Sequence, residues 1–568
     1  MQLHRWVVFT LALAAWSCGN VGSPSAPPVS TCPAYGGGTG SPLSISGTVR
    51  YEDYPYSATG LAATPVATPI TGVLVQAIRC SDSAVLDQKT TGVSGTYTLT
   101  ITNTGPAGIK IRALAQSPAT LNHGGVLVRD RLKNTHAVVS PVFNETTLGG
   151  APVNLLATEA AGGGAFNILD VALKGLNYLY ANVSPNPGVL PQLVVNWHSG
   201  FSGVAQGASY FFSLTNELTI LSDLLGRDTD EYDDPVVMHE VGHFISFNLS
   251  RENSQGGAHY MGDPGQDTRL SWSEGWGGFF SGAGLGNPQY IDTTGVKAGG
   301  GQLLAYNLET VQSDPFALCQ DFPGGPTYSC FPGYSARGGV ASENDVAATL
   351  WDAIDATPGE DPAAIAPGTV LNAILSLDTA YGISEPITFG RLWEVLVPLL
   401  TPTEKTNLET AAWTNGIDLV ADGGVDDTVG GASVLTLAVE SAPESLAIDP
   451  AITGTPDVDY YQVVLTEGLP YSFETIYYSN GADTLLTLVS PDGITTIASN
   501  DDWSGNYKSC SQYSTGCPNN GDDYSGYVEY TPPIGQGGTY FLKVERTPTT
   551  PRPYSGLYGT YTVLAKGI

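Results

Sequence analysis

Two histidines and a glutamate near the middle of the chain give the first chemical signal. The stretch Asp233-Asp234-Pro235-Val236-Val237-Met238-His239-Glu240-Val241-Gly242-His243-Phe244 contains the pattern His-Glu-x-x-His. On a helix, residues four apart lie on one face, so both imidazoles can reach one metal ion. Glu240 lies one step round the helix and cannot join them as a ligand. It faces the position of a metal-activated water, where a general base belongs. Such a set performs metal-assisted hydrolysis. The competing account, a buried helix carrying two histidines by accident, fits poorly with a chain that has only seven histidines.

The elements that must position this set are also legible. Asp234 is a good N-cap and Pro235 suits the first helical turn. Val237, Val241, Phe244 and Ile245 form an apolar stripe on the opposite face, which would bury the helix. A third ligand is needed, and Ser271-Trp272-Ser273-Glu274-Gly275-Trp276 offers Glu274. Gly275, Gly277 and Gly278 are poor helix formers, so their expected use is close helix packing behind Glu274. Trp276 reads as core.

HEVGH followed by SEGW resembles the gluzincin peptidases, and among them the fungalysin type, which sets its ligand glutamate in a Glu-Gly-Trp context. The matching residues run from about Pro235 to Ser281. The resemblance implies zinc as cofactor, His239, His243 and Glu274 as its ligands, and Glu240 as catalytic base. It also implies a second electrophile for the carbonyl oxygen, supplied by a Tyr or His. His259, Tyr260 and Tyr334 are candidates by residue type, with structural roles as the alternative. Gluzincins often carry an Asp four residues after the ligand glutamate, which orients the first histidine. That position is Gly278 here, so another group must hold His239.

Composition bounds the remaining choices. The chain has 568 residues, enough for several domains. Its net charge of −32 argues against a nucleic-acid partner. Charged residues make up only 13%, and Gly, Ser, Thr and Tyr are plentiful, which suits an extracellular β-rich protein. His4 and Arg5 precede an apolar run from Trp6 to Ala15, a short export signal. Ala15-Trp16-Ser17-Cys18 resembles a bacterial lipobox with Cys18 lipidated, and ordinary signal cleavage is the alternative. Membrane contact is expected only through that anchor, and a monomer is the expected state. With Cys18 set aside, six cysteines remain, an even number suited to disulfides in an exported chain. Closeness in sequence favours Cys319–Cys330 and Cys510–Cys517, leaving Cys32–Cys80.

The expected architecture is multidomain: an α+β zincin-type metallopeptidase core flanked by two all-β sandwiches. Residues 1–18 are read as signal and 19–43 as a Ser/Pro/Gly-rich tether. Residues 44–130 alternate apolar and polar in short runs and read as a sandwich. "GTVRYED", "GVLVQAI" and "SGTYTLTI" resemble the transthyretin-like or carboxypeptidase-regulatory modules. Residues 151–418 form the expected metallopeptidase unit. Ser209 to Leu214 and Leu218 to Leu221 read as strands before the metal helix, and by resemblance one is an edge strand that binds extended substrate. Asn344 to Asp355 has helical periodicity and resembles a Leu-Trp helix of fungalysins, without the histidine that precedes it there. Residues 419–438 read as a linker. Residues 439–568, with "DVDYYQVVLTEGLPYSFET" and "ADTLLTLVSPDG", resemble the bacterial pre-peptidase C-terminal domain.

Two acidic groups suggest calcium as a further cofactor, because calcium takes oxygen ligands. Asp228 and Asp230 belong to the run Asp228 to Asp234, for which the other reading is a solvated stretch favouring the helix N-terminus. Asp483, Asn500, Asp501 and Asp502 form the second group, with a tight polar turn as the alternative. The function expected is an exported bacterial zinc endopeptidase acting on protein or peptide. The rivals are a surface-binding lipoprotein with a retired peptidase domain, or a zinc hydrolase acting on a non-peptide bond.

Overall fold

Alternation over Pro42–Asp53, PLSISGTVRYED, buries every second side chain of a long strand from Ile45 to Tyr51. The computed structural model describes Cys32, Leu148, Gly256, His259, Val340, Ile417 and Ser441, and residues 42–102, 108–144, 150–200, 208–222, 228–254, 268–310, 342–355, 364–382, 387–415, 428–439, 444–447, 458–476, 484–501, 526–546 and 558–567. The signal segment, Cys18, Tyr260, Tyr334, Cys319, Cys330, Asp483, Asp502, Cys510 and Cys517 lie outside the described residues.

Pro42–Asp53 pairs antiparallel with Thr96–Thr102 and Val66–Pro69, and parallel with Leu155–Ala157. A second sheet runs Ala137–Val139, Ile109–Leu114, Leu74–Arg79, Val85–Thr90. A disulfide joins Cys32 to Cys80, with Cα atoms 5.7 Å apart. The third sheet runs Tyr210–Phe212, Glu217–Thr219, Leu193–Asn196, Val126–Arg129. Its Tyr210–Phe212 and Glu217–Thr219 strands form an antiparallel hairpin, and Tyr210–Phe212 ends the sheet.

Packing crosses the boundary expected between residues 130 and 151. Val126–Arg129 pairs in parallel with Leu193–Asn196, and Leu155–Ala157 returns to the first strand. Arg129 donates from Nη2 to both carboxylate oxygens of Glu217 (2.9 and 2.8 Å) and from Nε to Asn196 (2.9 Å). The cause is the helix Gly163–Asn182. It carries too many buried apolar residues, from Ala165 and Phe166 to Leu176 and Leu179, to be covered by other helices alone. The strands in front supply that cover, and one apolar core extends from Ile45 to Ile417.

The helices Asp234–Leu249, Thr268–Leu285, Glu343–Ile354, Pro367–Ala380, Phe389–Leu396 and Pro402–Thr414 complete this part. A second core spans Leu435 to Ala565. It lies between a five-stranded sheet, Ser433–Val434, Val458–Leu465, Gly538–Arg546, Thr484–Val489, Thr496–Asn500, and a four-stranded sheet, Glu444–Ala447, Tyr558–Gly567, Tyr471–Ile476, Tyr527–Tyr530. This unit takes in Ser433 to Leu435 from the segment expected to be linker, because Ser433–Val434 pairs with Tyr461 and Gln462. The protein is therefore multidomain with mixed helix and sheet. No helix among the described residues is long and apolar enough to cross a membrane.

Candidate metal centre

The helix bearing His239 and His243 spans Asp234–Leu249. Its N-cap is Asp233, one residue before the expected Asp234, and Pro235 lies in the first turn. Asp233 makes no side-chain cap bond. Its carboxylate instead accepts from the Thr293 backbone N–H (3.0 Å) and hydroxyl (2.9 Å), while Asp234 accepts from Asn167 Nδ2 (2.8 Å). Val237, Val241, Phe244 and Ile245 are fully buried, as the stripe requires.

Glu274 lies on the helix Thr268–Leu285, which packs directly against the first. Two glycines bring the axes close. A Cβ on Gly242 would meet Phe280 at 3.2 Å and the Gly277 backbone at 3.4 Å. A Cβ on Gly277 would press on the His239 ring at 2.6 to 2.8 Å. Trp276 Nε1 donates to the Gly242 carbonyl (2.8 Å), and Ser281 Oγ donates to the Pro235 carbonyl (2.9 Å). Gly275 serves a third helix, since a Cβ there would strike Val346 at 2.6 Å.

Three donor atoms converge as a result. His239 Nε2 and His243 Nε2 are 3.0 Å apart, and Glu274 Oε2 is 3.1 Å from the first and 3.2 Å from the second. A tetrahedral zinc ion with bonds of about 2.0–2.1 Å needs donor–donor edges of roughly 3.3–3.4 Å. The triangle is smaller than that by a few tenths of an ångström, which side-chain rotation can open. Two imidazole nitrogens and a carboxylate oxygen are the donors zinc takes. The residues fit the ion.

Glu240 is buried, at 7% exposure. Burial pushes its carboxyl above the usual range, while His239 and His243 pull it back. It accepts a hydrogen bond from the Phe211 backbone, so the last strand of the third sheet reaches the candidate base. The Phe211 ring packs near Phe244 and Phe247, at 6.3 and 5.4 Å between centroids. Burial disfavours charge on His243, yet Glu274 and then Glu240 outweigh it and push the imidazole up to about 10. Burial likewise opposes the charge on Glu274, but His259 and His243 hold that carboxyl well below its ordinary value. A negative cradle of this kind favours a cation.

Among the described residues, no carboxylate holds the Nδ1 side of His239. That nitrogen is buried and has no hydrogen-bond partner among the described residues. The ring is clamped by packing instead, between Gly277 and the edge-on Tyr290 (5.9 Å, 79°), and Tyr290 stacks on Tyr306 (5.0 Å, 16°). At Gly278, where a carboxylate would orient the histidine in the related pattern, a Cβ would lie 2.8 Å from Tyr306 Oη.

Of the three candidates for a second electrophile, His259 lies at the site. Its Nε2 is 3.6 Å from Glu274 Oε2 and 3.4 Å from Glu343 Oε2. Glu343 opens the helix Glu343–Ile354, capped by Ser342, and is 3% exposed. Glu252 accepts from Ser246 Oγ (3.1 Å) and acts on His243. Sequence reasoning missed Glu343, Glu252, Tyr290 and Tyr306. Only Glu343 left a trace, as an acidic residue just after a serine cap.

The acidic run leading into the helix Asp234–Leu249 is largely buried. Asp230, Glu231 and Asp233 are buried, and Asp228 and Asp230 gather with Asp292 from the strand Gln289–Thr293. In the C-terminal unit, Asn500 Oδ1 accepts from the Tyr527 backbone N–H (3.4 Å) and Asp501 follows it in a bend. Their expected companions Asp483 and Asp502 are outside the described residues.

No family model matches the chain, and no curated protein matches it. A solved cycloisomaltooligosaccharide glucanotransferase from Paenibacillus sp. aligns at 10% identity over 91% of this chain and 72% of its own, with a TM-score of 0.12.

Proposed function

We propose that the chain is an exported bacterial endopeptidase with a zincin-type core that uses one zinc ion. The observation that carries this reading is the convergence of His239 Nε2, His243 Nε2 and Glu274 Oε2 within 3.0 to 3.2 Å of one another. These three residues would hold the ion. When bound, zinc polarises a carbonyl and lowers the pKa of water towards about 7. Glu240, buried beside the triangle, takes the proton of the attacking water and passes it to the leaving amine. The strand Tyr210–Phe212 ends its sheet and reaches Glu240 through Phe211. An extended peptide pairs with such a strand through its backbone, which suits protein or peptide substrates. His259, beside Glu274, donates to the carbonyl oxygen as negative charge develops there.

The test pairs metal analysis with turnover. Wild-type protein is expected to carry one zinc per chain and to cleave unfolded casein. Glu240→Gln keeps the zinc and loses cleavage by about 10²- to 10⁴-fold, the usual worth of a general base. Zinc bound by a wild type that cleaves no peptide would instead support a surface-binding role, or hydrolysis of another bond.

A further inference from the structure

The six residues before the helix Asp234–Leu249 and one later strand bring a second set of side-chain oxygens together. Asp228 and Asp230 lie in the lead-in to the helix, and Asp292 lies in the strand Gln289–Thr293. Carboxylate oxygens of all three fall within 4.8 Å of one another. Calcium binds oxygen at about 2.3–2.6 Å, so oxygens sharing one ion are at most roughly 5 Å apart. The separation fits.

Closeness of acids alone would not identify a ligand. The decisive feature is Asp230, which is 3% exposed and whose Oδ1 has no hydrogen-bond partner among the described residues. Its other oxygen accepts from the Ser209 hydroxyl, which fixes the side chain in place. Asp292 Oδ1 is also buried, with no hydrogen-bond partner among the described residues. Leaving a buried carboxylate oxygen unsatisfied is costly, and bringing like charges together adds to the cost. The charges acting most strongly on Asp230 are those of Asp292 and Asp228, and on Asp292 those of Asp228 and Asp233. The pocket is also built in advance. Asp233 grips Thr293 through its backbone N–H and hydroxyl, which locks the lead-in to the strand that carries Asp292.

We infer that Asp228, Asp230 and Asp292 bind one calcium ion, which ties the start of the helix bearing His239 and His243 to the strand carrying Tyr290. All donors are hard oxygens, which excludes zinc as the preferred occupant. The Tyr290 ring of that strand packs edge-on against His239. The inference does not rest on the peptidase reading, since calcium binding is measured without turnover.

The experiment titrates CaCl2 into full-length protein in calcium-free buffer containing one equivalent of zinc, followed by calorimetry and thermal melting. Wild type is expected to bind a calcium equivalent that Asp292→Asn and Asp230→Asn lack, and to melt several degrees higher with calcium. Zinc content is expected to stay the same in both variants. Equal calcium stoichiometry in wild type and Asp292→Asn overturns the assignment, as does saturation by Mg2+ at equal affinity. If either variant fails to fold, the wild type decides: no calcium-dependent rise in melting temperature overturns the site.

Discussion

Gly277 is the residue on which the candidate metal centre turns, although it offers no donor atom to a metal. Its missing side chain is what lets the His239 ring lie flat against the second helix. A Cβ there would sit 2.6 Å from Cε1, 2.7 Å from Nε2 and 2.8 Å from Nδ1 of that ring. Tyr290 blocks retreat on another side. Gly277→Ala is therefore expected to lower zinc affinity by about 10- to 100-fold, the range seen when support of a ligand is disturbed. Competition against a chromogenic chelator reads this directly. Unchanged affinity would show that the ring is held by something other than packing. The histidine pair and Glu240 could be read in sequence because helical spacing makes their geometry local, and Glu274 through the resemblance carried by its Ser-Glu-Gly-Trp context. Tyr290, Tyr306 and Glu343 could not, since each is a single residue brought in by a distant element.

At the scale of elements, two glycine-lined helices form the frame, and Trp276 is the bolt between them. Its indole N–H reaches the Gly242 carbonyl at 2.8 Å in a fully buried crossing. Trp276→Phe removes that bond and part of the ring, and is expected to cost about 1–3 kcal/mol. Urea denaturation of zinc-loaded protein measures it, and a change below experimental error would move the joint to the Ser281–Pro235 contact. Both helices were foreseeable, one from its apolar stripe and the other from its placement of Glu274. The start of the first was off by one residue because the run of aspartates offers several caps. Asp233 took that position while its side chain turned to Thr293. The helix Gly163–Asn182 was also legible, from the helical spacing of apolar residues between Ala165 and Leu176, but its need for a covering sheet was not.

For the whole molecule, charge decides how stability varies with pH. Without calcium, Asp230 and Asp292 are raised well above the ordinary aspartate value, by burial first and by neighbouring carboxylates next. Burial pushes Glu231 up to about 7 and Asp234 to about 6. A carboxyl raised in the native state holds its proton where the unfolded chain has lost it. The native state is then favoured on the acid side, and stability falls as pH rises from about 4 towards 7. Calcium-free protein is expected to melt higher at about pH 5.5 than at about pH 8, and calcium at pH 8 to remove much of the difference. Melting curves at the two pH values with and without the ion check this. A difference indifferent to calcium would belong to the net charge of −32 instead. Composition showed that charge at once, but which acids are buried depends on chain segments some sixty residues apart, such as Asp230 and Asp292.

The apolar interior that runs unbroken from Ile45 to Ile417 sets the limits on dissection of the gene product. Tyr51, in the first strand, donates its hydroxyl to Asp170 of the first long helix (3.1 Å), and Arg129 is clamped to Glu217 beside the strand that reaches Glu240. The leading β-layer is thus part of the scaffold of the candidate metal centre and no detachable appendage. Shortened versions can be sought from the C-terminal side, where Leu435 to Ala565 enclose an interior of their own.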